Sequence, residues 1–167
     1  MDNFDPNVCL CVLETTTKSE VQMLKRIIYR SQIADEVDGS QIREICSQSK
    51  SANALRDVQG ALIAINRHFY QVLEGESTVL EPLLHKIQSD SRHNNFTLLQ
   101  NMQVPTRKFD GWDMTLIMSP SPDLEACITQ INHAFDSEDT SENTQMRLCE
   151  GLIYIILGAV DTQAAPC

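Results

Sequence analysis

Tyr29 and Gln71 are the two side chains of this sequence whose types and positions most clearly point to chemistry. Gln71 lies within residues 69–73, a run whose other members are typical of a buried strand. A buried primary amide needs partners for both its oxygen and its nitrogen, and each unmatched group costs about 1 to 3 kcal/mol. We therefore expect a polar partner beside Gln71.

Tyr29, Asn53, Arg92 and His93 are further candidates, but each also has an ordinary structural explanation. Tyr29 lies in an apolar run, where a tyrosine is by default a core aromatic whose hydroxyl reaches a nearby acceptor. Asn53 falls at the end of a predicted helix, where asparagine often takes a positive φ. Arg92 and His93 follow another predicted helix, and charges at a helix end are usually solvated. The pattern alone leaves both explanations open.

Trp112 and Met114 lie two residues apart in the last predicted strand. Alternate residues of a strand point to the same face, so we expect both side chains on one face of the sheet. Either side chain could simply belong to the core.

The composition argues against several classes of partner. The 167 residues carry a formal net charge of −10 and no basic stripe, so nucleic-acid binding is not expected. Six scattered cysteines form no CxxC pair and no zinc-site spacing, which favours reduced thiols in the cytoplasm and no metal. The acidic N-terminus is unlike a signal peptide, and the apolar run at residues 152–160 is too short for a bilayer, so no membrane anchor is expected.

The elements that position these residues follow from the apolar periodicity. Strands are predicted at residues 24–30, 58–65, 69–73, 97–103 and 112–118, and helices at 40–51 and 78–89. The order βαββαββ predicts a ferredoxin-like α+β sandwich, with a five-stranded sheet and two helices on one face. Two more helices, at residues 124–135 and 146–159, are expected to cover the other face. Residues 9–14 could add an edge strand or lie outside the fold.

Five sequence blocks resemble the BLUF family of blue-light sensors, which bind a flavin. In order along the chain they are Ile27-Ile28-Tyr29-Arg30-Ser31, Asn53 followed by Gly60-Ala61-Leu62, Tyr70-Gln71-Val72-Leu73-Glu74-Gly75, Ser89-Asp90-Ser91-Arg92-His93, and Arg107-Lys108-Phe109-Asp110-Gly111-Trp112-Asp113-Met114. The resemblance covers about residues 23 to 119 in the family's order and spacing. It implies an N-terminal extension at residues 1–20, a flavin-binding domain at 21–119 and a C-terminal helical extension at 120–167.

The resemblance also implies roles for the candidate residues. Tyr29 is expected to be the electron donor, hydrogen-bonded to Gln71, whose amide rearranges or tautomerises after blue light. Asn53 is expected to hold the pyrimidine edge of the flavin, and Arg92 and His93 its polar edge. Trp112 or Met114 is expected to lie near Gln71 and to carry the signal outward.

The cofactor is expected to be held by its ring system. The sequence has no GxGxxG motif and no P-loop, so no glycine-rich helix start would hold the phosphates. The resemblance places the ring between the two helices with the phosphate tail toward solvent. We predict FAD, with FMN as the alternative.

Several functions remain open from the sequence. The chain is either a sensor that signals through an unidentified partner or the light-sensing piece of a photoactivated nucleotide cyclase. A flavin-dependent oxidoreductase and a ferredoxin-like module without a cofactor are alternatives. No cluster of nucleophile, base and orienting residue is evident, so catalysis within this chain is not expected.

The last predicted helix also indicates self-association. It carries apolar residues around much of its circumference, more than contact with one sheet requires. They are Met146, Leu148, Leu152, Ile153, Ile155, Ile156, Leu157 and Val160. We therefore expect a homo-oligomer, at least a dimer, in which the C-terminal helices participate.

Overall fold

The computed structural model describes residues 23–137 and 140–163, with side chains up to residue 158. The predicted edge strand at residues 9–14 lies outside the described residues. In chain order the elements are β1 (Leu24–Ile33), α1 (Gly39–Ala54), β2 (Gln59–Ile65), β3 (His68–Glu76), α2 (Ser77–Gln88), β4 (His93–Gln103), β5 (Thr115–Ile117), α3 (Pro122–Asp136) and α4 (Glu142–Gln163).

The five strands form one mixed sheet in the order β4-β1-β3-β2-β5. All neighbouring strands are antiparallel except β2 and β5. One face packs against α1 and α2, and the other packs against α3 and α4, so the protein has two apolar cores separated by the sheet. The predicted ferredoxin-like fold, with the C-terminal helices on the second face, is confirmed.

Short-range interactions fix where the central elements begin. Asp38 caps α1 by accepting hydrogen bonds from the N–H groups of Ser40 and Gln41. In turn, Gln41 Oε1 accepts a hydrogen bond from the Asp38 N–H. The hairpin between β2 and β3 turns at Asn66 and Arg67, whose φ angles of 49° and 60° are left-handed. Arg67 offsets this strain by donating to the Ala34 carbonyl at 2.6 Å.

Several predicted boundaries were wrong. β3 continues through Gly75 to Glu76, and Glu76, not Ser77, precedes the first turn of α2. β4 begins at His93 rather than Thr97, because a bulge in its pairing with β1 hides the alternation. β5 is only three residues long, since the chain before it turns rather than extends.

A glycine allows β2 to approach its neighbour closely. A Cβ atom at Gly60 would lie 1.9 Å from the Val72 carbonyl oxygen, so no other residue fits there. The Gly60 N–H donates to the Trp112 carbonyl at 3.0 Å. The segment before β5 is thereby attached to the sheet.

A buried ion pair on the sheet face toward α3 and α4 also holds the segment before β5. The Arg26 Nε donates to Glu74 Oε1 at 2.7 Å, and the two side chains are 3% and 0% exposed. The second oxygen of Glu74 accepts from the backbone N–H groups of Lys108 and Phe109 at 2.7 and 3.0 Å. Glu74 therefore joins β1, β3 and the loop that leads to Met114.

We expect Glu74→Gln to lower the unfolding free energy by about 3 kcal/mol, because the buried Arg26 charge loses its close counter-ion and keeps the partly exposed Glu150 carboxylate at 3.7 Å. Urea denaturation of the purified protein measures this change. Glu81→Gln is the matched control, since Glu81 is 56% exposed in its ion pair with Lys25. That variant should lose much less, because solvent screens an exposed ion pair. Equal losses in the two variants would contradict the structural role of Glu74.

Candidate functional site

Tyr29 and Gln71 face each other across β1 and β3, on the sheet face covered by α1 and α2. The Tyr29 hydroxyl donates a short hydrogen bond to Gln71 Oε1, and the two residues are 1% and 5% exposed. The Gln71 Nε2 donates to Met114 Sδ at 3.3 Å. The expected polar partner of Gln71 is thus present. The amide is held firmly at its oxygen and weakly at its nitrogen, because a thioether is a poor acceptor.

The surroundings of Tyr29 keep its hydroxyl protonated. Burial, and to a smaller extent the negative charge of Asp90, raises the pKa of Tyr29 well above its ordinary value. The Phe96 ring stacks on the tyrosine at 4.6 Å between ring centroids, and the His93 ring meets it edge-on at 6.1 Å. Tyr29 is therefore a hydrogen-bond donor packed between two aromatic rings.

A cavity of about 650 Å³ lies beside this pair, between α1 and α2. Its apolar lining comes from both helices and the sheet, with Ile45, Leu62, Leu73, Val79, Leu83 and Ile87. Its polar lining includes Asn53, Gln71, Arg92 and His93. A volume of this size with few convergent polar groups is typical of a small-molecule site.

Asn53 is the clearest sign that a ligand belongs in the cavity. It is 3% exposed and lies within α1, so it does not end the helix with a positive φ; Asp57 has the positive φ instead. Its backbone carbonyl accepts from Arg56 and Val58, but its side-chain amide makes no hydrogen bond to any residue that the structure describes. The amide faces the cavity, where a ligand that can both donate and accept would satisfy it.

Arg92 and His93 are brought to the same cavity by the turn after α2. Arg92 is fixed by its hydrogen bonds to Asp90, which lower the pKa of that carboxyl to about 2. Burial lowers the pKa of His93, although the nearby Asp90 charge opposes this shift. The His93 Nδ1 lies 2.8 Å from Ser31 Oγ, a hydrogen bond that orients the ring.

Trp112 and Met114 do not share a face as predicted. Met114 is buried with Tyr29 in the core under α1 and α2, whereas Trp112 packs edge-to-face on Phe109, in the core under α3 and α4. The expectation of alternation was wrong because both residues precede β5. The Trp112 N–H donates to the Phe109 carbonyl and closes a turn there.

Ser31 and Phe96 also contribute to the site, although neither was predicted from the sequence to have a role. Ser31 is two residues after Tyr29, so strand alternation alone would place it on the same face. Phe96 lay outside the predicted bounds of β4, and the polar Asn94 and Asn95 before it resemble a loop.

A flavin fits this cavity. Its flat, largely apolar ring system matches the apolar walls, and its polar edge matches the unpaired Asn53 amide and the Arg92 guanidinium. Gln71 offers an amide at the same wall, next to Tyr29.

Residues 24–115 match the model of the BLUF family, described as sensors of blue-light using FAD. These residues are more than half of the chain, and the chain therefore belongs to the BLUF family. It is a blue-light sensor that binds a flavin.

Known proteins share this domain in different contexts. The blue light- and temperature-regulated antirepressor BluF of Escherichia coli (strain K12) is 35% identical over 94 residues, which are 56% of this chain and 23% of that protein. Photoactivated adenylate cyclase subunit beta of Euglena gracilis is 25% identical over 122 residues, which are 70% of this chain and 14% of that protein. This chain thus spans less than a quarter of either relative's length.

The fold recurs in a solved structure of BlsA in its photo-activated state. The TM-score is 0.67 at 22% sequence identity, and the match covers 87% of this chain and 100% of that chain. Identity at this level shows a shared fold.

The described part of the chain lacks the features of a membrane-spanning helix and of a metal site. No helix there is long and apolar enough to cross a membrane. Among the same residues, no group of histidine, cysteine or acidic side chains could hold a metal ion.

The depressed pKa of His93 predicts a pH dependence. Below about pH 6.5 the unfolded chain binds a proton at this histidine that the folded protein resists, so stability falls as the pH drops. In His93→Gln the loss of unfolding free energy between pH 7 and 5.5 should be smaller, as measured by urea denaturation at fixed flavin concentration. His85→Gln, at an exposed position on α2, should keep the wild-type slope. An unchanged slope in His93→Gln would refute the assignment.

Proposed function

We propose that Tyr29 and Gln71 are the photochemical pair of this sensor, with Asn53, Arg92 and His93 holding the flavin ring. The observation that carries this proposal is the buried hydrogen bond from Tyr29 to Gln71, placed at the wall of a cavity with an unpaired Asn53 amide. Each of these residues has the chemistry that its role requires.

Tyr29 acts as donor of an electron and a proton. A bound flavin, excited by blue light, supplies a strong oxidant. The hydroxyl of Tyr29 already points at Gln71 Oε1, so its proton moves along an existing hydrogen bond while the tyrosine ring loses an electron to the excited flavin. Both return to Tyr29 when its ring is reduced again, so a bound flavin would keep its covalent structure.

Gln71 is the switch because its amide can exchange its donor and acceptor groups by rotation or tautomerisation. Among the described residues, the nitrogen is held by the weak bond to Met114 Sδ alone, so this change disturbs that bond and the bond to Tyr29. The changed hydrogen bonds toward the flavin would shift its absorption to the red.

Met114 and Trp112 are proposed to relay the change, by different contacts. Met114 touches the amide of Gln71 directly. Trp112 lies on the other face and is connected to β2 through its carbonyl bond to Gly60. Movement of Met114 would therefore displace the segment before β5, which contacts both apolar cores.

We infer that the flavin is FAD. Arg56 and Lys86 line the cavity at its exposed side, where two cations suit a diphosphate better than a single phosphate. The family description also names FAD. The mass of the chromophore released by heat tests this inference, and FMN alone would contradict it.

The output is proposed to be a changed interaction with another domain or protein rather than catalysis in this chain. The matched relatives, an antirepressor and an adenylate cyclase, are both much longer than this chain. A flavin-dependent oxidoreductase remains the alternative from another class. We also propose a cytoplasmic location, which the buried thiols of Cys127 and Cys149 support.

Gln71→Leu should retain the flavin, because Asn53, Arg92 and His93 would still hold the ring, yet lose the light-induced red shift. Absorbance spectra before and after blue light measure both properties. Gln48→Leu is the control, since Gln48 also lines the cavity but is an exposed residue of α1. A normal shift in Gln71→Leu would overturn the proposed switch. Stable reduction of the wild-type flavin in light would favour the oxidoreductase.

Self-association remains a prediction. The structure leaves less apolar surface of α4 exposed than the sequence pattern indicated. Leu152, Ile153 and Ile156 are fully buried within the chain, while Met146 and Tyr154 are 53% and 80% exposed. We predict a dimer or larger oligomer through α4, measured by light scattering at micromolar concentration. A monomeric mass in dark and lit samples would leave α4 only as a cover for the sheet.

A further inference from the structure

A second cross-strand pair lies directly behind the photochemical pair. Tyr29 pairs with Gln71 in the sheet register, and the next pair along the two strands is Arg30 with Tyr70. Successive side chains of a strand point to opposite faces. Arg30 and Tyr70 therefore point away from the cavity, toward α3.

Both side chains converge on one atom of α3. The Arg30 Nη1 and the Tyr70 hydroxyl each donate to Asn132 Oδ1 at 2.8 Å. Arg30 also forms an ion pair with Asp136, one helical turn further on. We call these four residues the Asn132 clamp.

The clamp is satisfied only in one arrangement of the two strands. A carbonyl oxygen has two acceptor sites, and the donors from β1 and β3 use both. Tyr70 is 1% exposed, and burial raises the pKa of its hydroxyl, so it remains a proton donor. A relative shift of β1 and β3 would remove one of the two bonds; loss of the Tyr70 bond leaves its buried hydroxyl unmatched, whereas Arg30 would still pair with Asp136.

The photochemical pair is well placed to cause such a shift. Tyr29 and Arg30 are consecutive residues, as are Tyr70 and Gln71, so their Cα atoms are about 3.8 Å apart. The bond from Tyr29 to Gln71 ties the two strands on one face, and the clamp ties them on the other. Loss of the first bond changes the balance of forces on the second.

We propose that Asn132 is a coupling residue: a change in the bond between Tyr29 and Gln71 shifts β1 against β3, and the altered hydrogen bonds to Asn132 transmit this shift to α3. The proposal rests on the photochemical roles given above to Tyr29 and Gln71. This route is separate from the contact of Gln71 with Met114, because it leaves from the opposite face and reaches a helix directly.

The test compares light and dark hydrogen exchange of the α3 amides in the flavin-loaded full chain. In the wild type, light should change their exchange rates. Tyr70→Phe removes only the hydroxyl and Asn132→Ala removes the shared acceptor, so each should keep the red shift but reduce the change in α3 by about threefold or more. A difference between light and dark is insensitive to a destabilisation that affects both states.

Two controls complete the design. Asn132→Asp keeps the oxygen acceptors and should retain the response of α3. Tyr154→Phe removes a hydroxyl that is exposed on α4 and should behave as the wild type.

The outcomes separate this proposal from the one before it. A wild type without a red shift would overturn the photochemical roles. A wild type with a red shift but no change in α3 would overturn the coupling alone. An undiminished α3 response in Tyr70→Phe or Asn132→Ala would also overturn it, as would loss of the red shift in both variants, which would place the clamp in the switch itself.

Discussion

A primary amide inside a sheet must be hydrogen-bonded on both sides, and this constraint organises the protein. Gln71 meets it with Tyr29 at its oxygen and Met114 at its nitrogen, one strong partner and one weak partner. The bond to Tyr29 requires β1 and β3 to pair in the observed register. The bond to Met114 requires the loop before β5 to lie beside Gln71. A cavity lined by the Asn53 amide then lies where a flavin can meet the proposed switch.

The opposite face of the sheet provides the rigid support that such a switch needs. Glu74, three residues after Gln71, is buried with Arg26 and holds the loop that leads to Met114. The Asn132 clamp holds the same two strands onto α3. A small change at Gln71 is therefore not absorbed by soft packing, because polar contacts with specific geometry surround it on both faces.

Local sequence determined most of the fold. Apolar periodicity and turn residues were enough to predict the order of strands and helices, and the isolated glutamine in a core strand predicted a polar partner. Contacts between distant segments could not be predicted. The turn that separates Trp112 from Met114 depends on bonds to Gly60 and Phe109, and the bulge that lengthens β4 depends on its pairing with β1. Nothing near Asn132 in the sequence indicates that two strands would donate to it.

The hydrogen bond from Tyr29 to Gln71 is tested most directly by Tyr29→Phe, which keeps the ring stacked on Phe96 and removes only the hydroxyl. The measurement is the absorbance change of the flavin-loaded variant under blue light, beside Tyr154→Phe as a matched substitution at an exposed tyrosine. We predict a folded, yellow variant with no reversible red shift, while Tyr154→Phe responds normally. A red shift of wild-type size and recovery in Tyr29→Phe would contradict the account.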